Sequence, residues 1–96
     1  MSRNADAAAA YLKTLAHGGR LMILCHLSSG EKSVGELEDL LDMRQASVSQ
    51  MLARLRDQNL VSTRREGKTI FYDLADPKTK QLIGLMYQLF CAPDQT

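Results

Sequence analysis

The stretch "SVGELEDLLDMRQASVSQMLARLRDQN" is the part of this chain that most restricts its fold. Two apolar stripes of helical period lie on either side of the short break formed by Asp42, Met43 and Arg44. The first opens with Ser33 and has Glu36 three residues on, the pattern of a capping box. In that arrangement the serine oxygen accepts a free backbone N–H while the glutamate accepts the serine's own N–H. Leu37, Leu40 and Leu41 are its expected buried side. The second stripe carries Val48, Leu52 and Leu55; its serine-rich start suits capping, and Asn59 suits its end.

The flanking segments complete the order. Residues 5–16 are strong helix formers with Ala8, Leu12 and Leu15 on one stripe, and Gly18 and Gly19 are expected to break that helix. A second helix runs through "RLMILCHLSS", with Leu21, Leu24, Cys25 and Ser28 in helical register and Gly30 as its stop. After Asn59 the period changes. "LVSTRREGKTIFYDL" sets β-branched and aromatic residues around "REGK", where Gly67 can take the positive φ of a tight hairpin turn. Pro77 suits the first turn of a last helix with Leu82, Leu85, Met86, Leu89 and Phe90 on its apolar face. Four helices, a hairpin and a helix make a mostly α fold with a small β-hairpin wing, a winged helix-turn-helix, read here as a single domain over residues 1–96.

The formal net charge of +1 conceals a segregation. Between residues 31 and 42 five carboxylates face Lys32 alone. From Arg44 to Lys68 six cations face only Asp57 and Glu66, which suggests one face built for a polyanion. No segment approaches the ~20 apolar residues of a membrane span. The run Ala7 to Ala10 lies between Asp6 and Lys13 and is no signal-peptide core, so a cytoplasmic protein is expected. Paired acid and base, a glycine-rich phosphate cradle and a nucleophile–base set are all missing from the pattern, which argues against an enzyme.

At ~100° per residue, burying Val48, Leu52 and Leu55 turns Ala46 and Gln50 outward, flanked by Ser47 and Ser49 and continued by Ala53 and Arg54. Short side chains let such a helix approach a major groove, where Ser and Gln meet base edges. Gln50 can pair with adenine, and Gln45 sits at the end where recognition helices touch bases. Arg44, Arg54 and Arg56 suit phosphates, which position a protein without specifying sequence. Arg64, Arg65 and Lys68 on the hairpin offer a second contact, to a phosphate strand or the minor groove.

The segments "LKTLAHGGRLMIL", "SVGELEDLL", "RQASVSQMLARLRDQNLV" and "TRREGKTIFYDL" closely resemble the ArsR/SmtB family of bacterial winged-helix repressors, from about Leu12 to Phe90. The resemblance implies a homodimer built from the first and last helices, double-stranded operator DNA with an imperfect palindrome, and release when an inducer binds. Where many members have a proline this chain has Gly18 or Gly19, which implies a looser start to the second helix. The arsenic-type Cys-x-Cys site of the family falls on Ser33 and Gly35, and its zinc-type Asp and His ligands have no counterpart between Lys78 and Phe90. No metal site or cofactor is therefore expected, and His17 and His26 read as structural or solvent-facing.

Two cysteines remain, Cys25 and Cys91. From the residues alone a staple, a metal site, a redox sensor and inert thiols all stay open, although disulfides seldom persist in a reducing compartment. "LMILCHL" and "LFCAP" resemble the BigR/SqrR group, whose members sense persulfides or oxidants. That resemblance implies a Cys25–Cys91 bridge of two or more sulfurs within one subunit, formed when a persulfide, polysulfide or oxidant arrives. Rival readings are a zinc- or copper-responsive repressor, a DNA-binding module without its own inducer, and a dimeric protein-interaction adaptor.

Overall fold

The computed structural model describes the backbone from Ser2 to Cys91 and the side chains from Asn4 to Phe90. Its elements are α1 (Ser2–Leu15), α2 (Gly18–Leu27), β1 (Lys32–Ser33), α3 (Val34–Leu41), α4 (Gln45–Asp57), β2 (Val61–Glu66), β3 (Thr69–Leu74) and α5 (Pro77–Met86), the last running on into a π-type turn at Tyr87–Cys91. The core is Ile23, Leu24 and Leu27 of α2, Leu37 of α3, the three inward residues of α4, and Ile83 of α5. Leu60, Val61 and Leu74 close it beneath the sheet.

Local chemistry fixes the two central helices. Ser33 Oγ accepts the Glu36 N–H at 3.1 Å and Glu36 Oε1 accepts the Ser33 N–H at 2.8 Å, so the capping box forms in full. Asp42, at φ 54°, ends α3 in the left-handed region that a short polar side chain tolerates. Asn59, at φ 61°, ends α4 in the same way. Behind it the Leu60 N–H reaches the Leu55 carbonyl at 2.9 Å and the Asn59 N–H the Arg56 carbonyl at 2.9 Å. That is the paired bonding of a Schellman stop, with Leu55 and Leu60 both buried as its apolar clasp.

Several sequence expectations need correction. Gly18 and Gly19 do not break a helix; they form the first turn of α2, whose N-cap is His17, its Nδ1 accepting the Arg20 N–H at 3.3 Å. A Cβ at Gly19 would lie 2.5 Å from Met51 Sδ, so this glycine lets α2 approach α4. No serine caps α4: Arg44 holds that position without a side-chain hydrogen bond. Leu12 and Leu40 are half-exposed, because α1 and α3 each contribute only one wholly buried residue to the core, Leu15 and Leu37. The last helix turns π-type after Met86 instead of remaining α-helical through Phe90. A third strand also escaped prediction, since β1 is too short to show a period. It pairs antiparallel with β3, Lys32 opposite Tyr72 and Ser33 opposite Phe71, giving the sheet order β1-β3-β2.

One buried polar contact joins the ends of the chain. Thr79 of α5 is wholly buried, and its Oγ1 shares a hydrogen bond with the Tyr11 hydroxyl of α1. Lys78 lies 5.9 Å from the centre of the Tyr11 ring. Replacing Ser33 by alanine removes half of the capping box and should lower the unfolding free energy by about 1 kcal/mol, read as a lower urea midpoint at unchanged slope.

Candidate nucleic-acid interface and thiol positions

The orientation of α4 follows from its buried stripe. Val48, Leu52 and Leu55 have no exposed surface, and Gln45, Ala46, Ser49, Gln50, Ala53 and Arg54 are exposed, with Ser47 half-buried beside them. The helix therefore presents a continuous face of small and amide-bearing side chains, with Arg44 exposed at its N-terminal end and Arg54 and Arg56 in its last turn. No acidic residue interrupts this face before Asp57. Such a surface can come close to base edges and match both donors and acceptors there.

The sheet supplies a protruding hairpin. Strands β2 and β3 pair from Val61 opposite Leu74 out to Glu66 opposite Thr69, and Gly67, at φ 63°, makes the tip. Arg65 and Lys68 are exposed there. Arg64 is differently placed. Its Nε and Nη2 donate to the two oxygens of Glu31, at 3.1 and 2.5 Å, and its Nη1 donates to Glu66 at 2.6 Å. The guanidinium also lies 4.8 Å from the centre of the Phe71 ring, its cross-strand neighbour. Of the three hairpin cations, Arg64 ties the wing to the segment before β1, and Arg65 and Lys68 stand ready for a ligand. Nothing in the residue order marked Arg64 out, since Glu31 lies 33 positions away.

Cys25 is buried on the inner side of α2, and Ser28 Oγ donates to its backbone carbonyl at 2.6 Å. Cys91 ends the π-type turn that continues α5, and α2 packs against α5. The side chain of Cys91 lies outside the described residues. His26 is shifted below the ordinary imidazole value by burial and, secondarily, by Lys32, and its Nε2 is shielded from solvent without an acceptor. Among the described residues no cluster of three or more potential ligands could hold a metal ion, and no helix is long and apolar enough to cross a membrane.

Helix, tight turn, outward-facing helix and hairpin together define a winged helix-turn-helix transcriptional regulator. Residues 17–63 match the model of the family described as "Bacterial regulatory protein, arsR family". The biofilm growth-associated repressor of Agrobacterium fabrum is 53% identical over 95 residues, covering 99% of this chain and 81% of that protein. The transcriptional activator HlyU of Vibrio cholerae is 43% identical over 95 residues, covering 99% and 88%. Among solved structures, reduced HlyU from Vibrio cholerae superposes with a TM-score of 0.91 at 43% identity, covering 96% of this chain and 97% of that one. The repressor BigR from Xylella fastidiosa superposes at 0.90 with 45% identity, covering 100% and 95%. The chain belongs to the arsR family of regulators and is not an enzyme.

The Arg64 clamp has a measurable signature. Its hydrogen bonds and charge hold the Glu31 carboxyl below its usual value of 4.5. A carboxyl depressed on folding contributes stability above its unfolded value and loses that contribution as pH falls through the depressed one. The clamp should thus persist to more acid pH than an isolated glutamate would stay charged. In a carboxyl-carbon NMR titration Glu31 should have its midpoint below 4.5, returning to the ordinary range in Arg64→Ala.

Proposed function

We propose that the protein is a cytoplasmic DNA-binding repressor that acts as a homodimer on an imperfectly palindromic operator and lets go when Cys25 and Cys91 become bridged. The observation that carries the DNA reading is the acid-free outer face of α4 beside the exposed cations of the wing. In this reading Gln45, Ser47, Ser49 and Gln50 meet base edges. Arg44 and Arg54 meet phosphates, as do Arg65 and Lys68 on the wing. Arg64, foreseen as a direct contact, acts instead by holding the wing in place. Repression is the role printed for the biofilm growth-associated relative, whereas HlyU is described as an activator.

Dimerisation is supported by the apolar surface left on α1, α5 and the turn after it. Leu12, Leu85, Tyr87, Leu89 and Phe90 are all exposed, Phe90 to 76%. Between Leu12, Leu21, Leu82 and Met86 lies a hollow lined almost wholly by carbon. Contiguous exposed apolar area of this kind marks an interaction surface. Two copies joined there would present two α4 helices to successive major grooves, about 34–36 Å apart on one face of the duplex.

The sensing step needs thiol chemistry that balances. A cysteine thiolate attacks the outer sulfur of a persulfide, taking that sulfur and expelling the carrier thiolate. The second cysteine then attacks the inner sulfur of the new protein persulfide, forming a disulfide and expelling hydrosulfide. Two cysteines are oxidised and the transferred sulfur is reduced. Support comes from the position of Cys25 on a helix packed against α5, from Cys91 at the end of the turn extending α5, and from a relative whose structure is described as the reduced form. A bridge there would restrain the elements that carry the dimer surface. A coupling of about 1–3 kcal/mol, or 5- to 150-fold in operator affinity, is typical of such switches.

Gln50→Ala should relax base preference while Arg65→Ala weakens binding to every sequence and lowers the salt slope by about 1; competition of selected against random duplex at several salt concentrations separates the two. Cys25→Ser and Cys91→Ser should each bind the operator yet fail to release it after persulfide treatment, and a single variant that still releases would refute the two-thiol switch. Release by zinc or copper alone would point to the metal-responsive alternative.

A further inference from the structure

A second basic surface lies on the flank of α4, apart from the wing. One hollow is lined by Lys13 and Thr14 of α1, Arg20 of α2, Arg54 and Asp57 of α4, and Gln58. A neighbouring one is lined by His17, Arg20, Gln50, Met51 and Arg54. Arg20 and Arg54 border both, so the two hollows form one trough running from Gln50 on the outer face of α4 to the end of α1. Three permanent cations line it against the single carboxylate of Asp57. Among the described residues the two ion pairs both engage Arg64, and Lys13, Arg20 and Arg54 pair with no carboxylate.

Two details point to an anionic occupant. Arg20 Nε is shielded from solvent and has no acceptor. A buried guanidinium N–H without a partner is costly, and a bound anion is one of the groups that satisfies such an atom. His17 adds a donor. Its Nδ1 accepts the Arg20 N–H, so the neutral ring carries its proton on Nε2 and offers that N–H at the trough. One hydrogen bond thereby caps α2 and sets the tautomer.

We propose that Lys13, His17 and Arg20, together with Arg54, form a phosphate-binding site for the DNA backbone at the edge of the groove that α4 enters. The site rests on the DNA-binding reading and extends it to α1 and α2, which supplied no predicted contact. A helix lying in the major groove has phosphates along both walls, and an arginine fork matches phosphate oxygens closely. Contacts of this class set position and affinity and carry no base preference.

The test compares wild type with Lys13→Gln and His17→Ser by fluorescence anisotropy, on a selected and a random duplex over a range of potassium chloride. Both residues are exposed, and serine at position 17 keeps an N-cap oxygen, so folding is preserved; thermal unfolding checks that. With about 0.9 in log–log salt slope per phosphate contact, Lys13→Gln should lose about fivefold in affinity near 0.15 M salt, equally for both duplexes, and its slope should fall by about 1. His17→Ser should weaken both duplexes alike with little change in slope. Wild-type binding with both variants unchanged overturns this site and leaves the DNA reading standing. A loss confined to the selected duplex would make these residues base readers and overturn the phosphate assignment. If wild type shows no salt-sensitive DNA binding, the DNA reading fails and the site fails with it.

Discussion

Burial of Val48, Leu52 and Leu55 against α2 and α3 is the constraint on which the remaining structure depends. Each such side chain contributes about 1.5–3 kcal/mol by leaving water. A rotation of α4 about its axis would expose all three together, so the helix has one orientation, and its opposite face must point outward. That outer face has only one long flexible neutral side chain per turn and no acid until Asp57. The hydrophobic effect thus aims the polar surface without touching it.

The wing and the last helix are fixed by different means. Two strands alone would be a marginal hairpin. Here β1 adds a third strand, and the Glu31–Arg64–Glu66 cluster over Phe71 fastens the hairpin to the segment that leads into α3. Exposed ion pairs add little to global stability. This one bridges 33 residues and sets where Arg65 and Lys68 stand, which is a matter of geometry more than of energy. At the other end α5 is anchored through Ile83 and the Tyr11–Thr79 hydrogen bond, leaving its remaining apolar face for a second copy of the chain.

Helical period and caps were the legible part of this sequence. The α4 stripe, the Ser33–Glu36 box, the left-handed Asn59, the turn at Gly67 and Pro77 at the start of α5 are all local patterns, and each formed as its residues indicate. What the sequence hid was long-range or too short to have a period. The two-residue β1 shows only when β3 pairs with it. The role of Arg64 depends on a carboxylate far away in the chain, and Arg20 looked like an ordinary helix residue until α1 and α4 closed around it. Leu12 and Leu40 failed as core residues because a stripe says which side of a helix is apolar, not whether a neighbour covers it. For the candidate site, α4 could be oriented from its spacing alone, whereas the basic trough needed three elements brought together.

These features assign a separate task to each part: α4 to sequence, the wing and the trough to phosphate, the apolar α1–α5 surface to pairing, and the two cysteines to control. The most direct test is amide chemical-shift mapping during titration with a short duplex carrying the selected site. The largest changes should fall on residues 44–50 of α4 and on Arg65 to Lys68, with α5 responding only weakly. Changes concentrated on α5 and the turn after it, with α4 silent, would contradict the account.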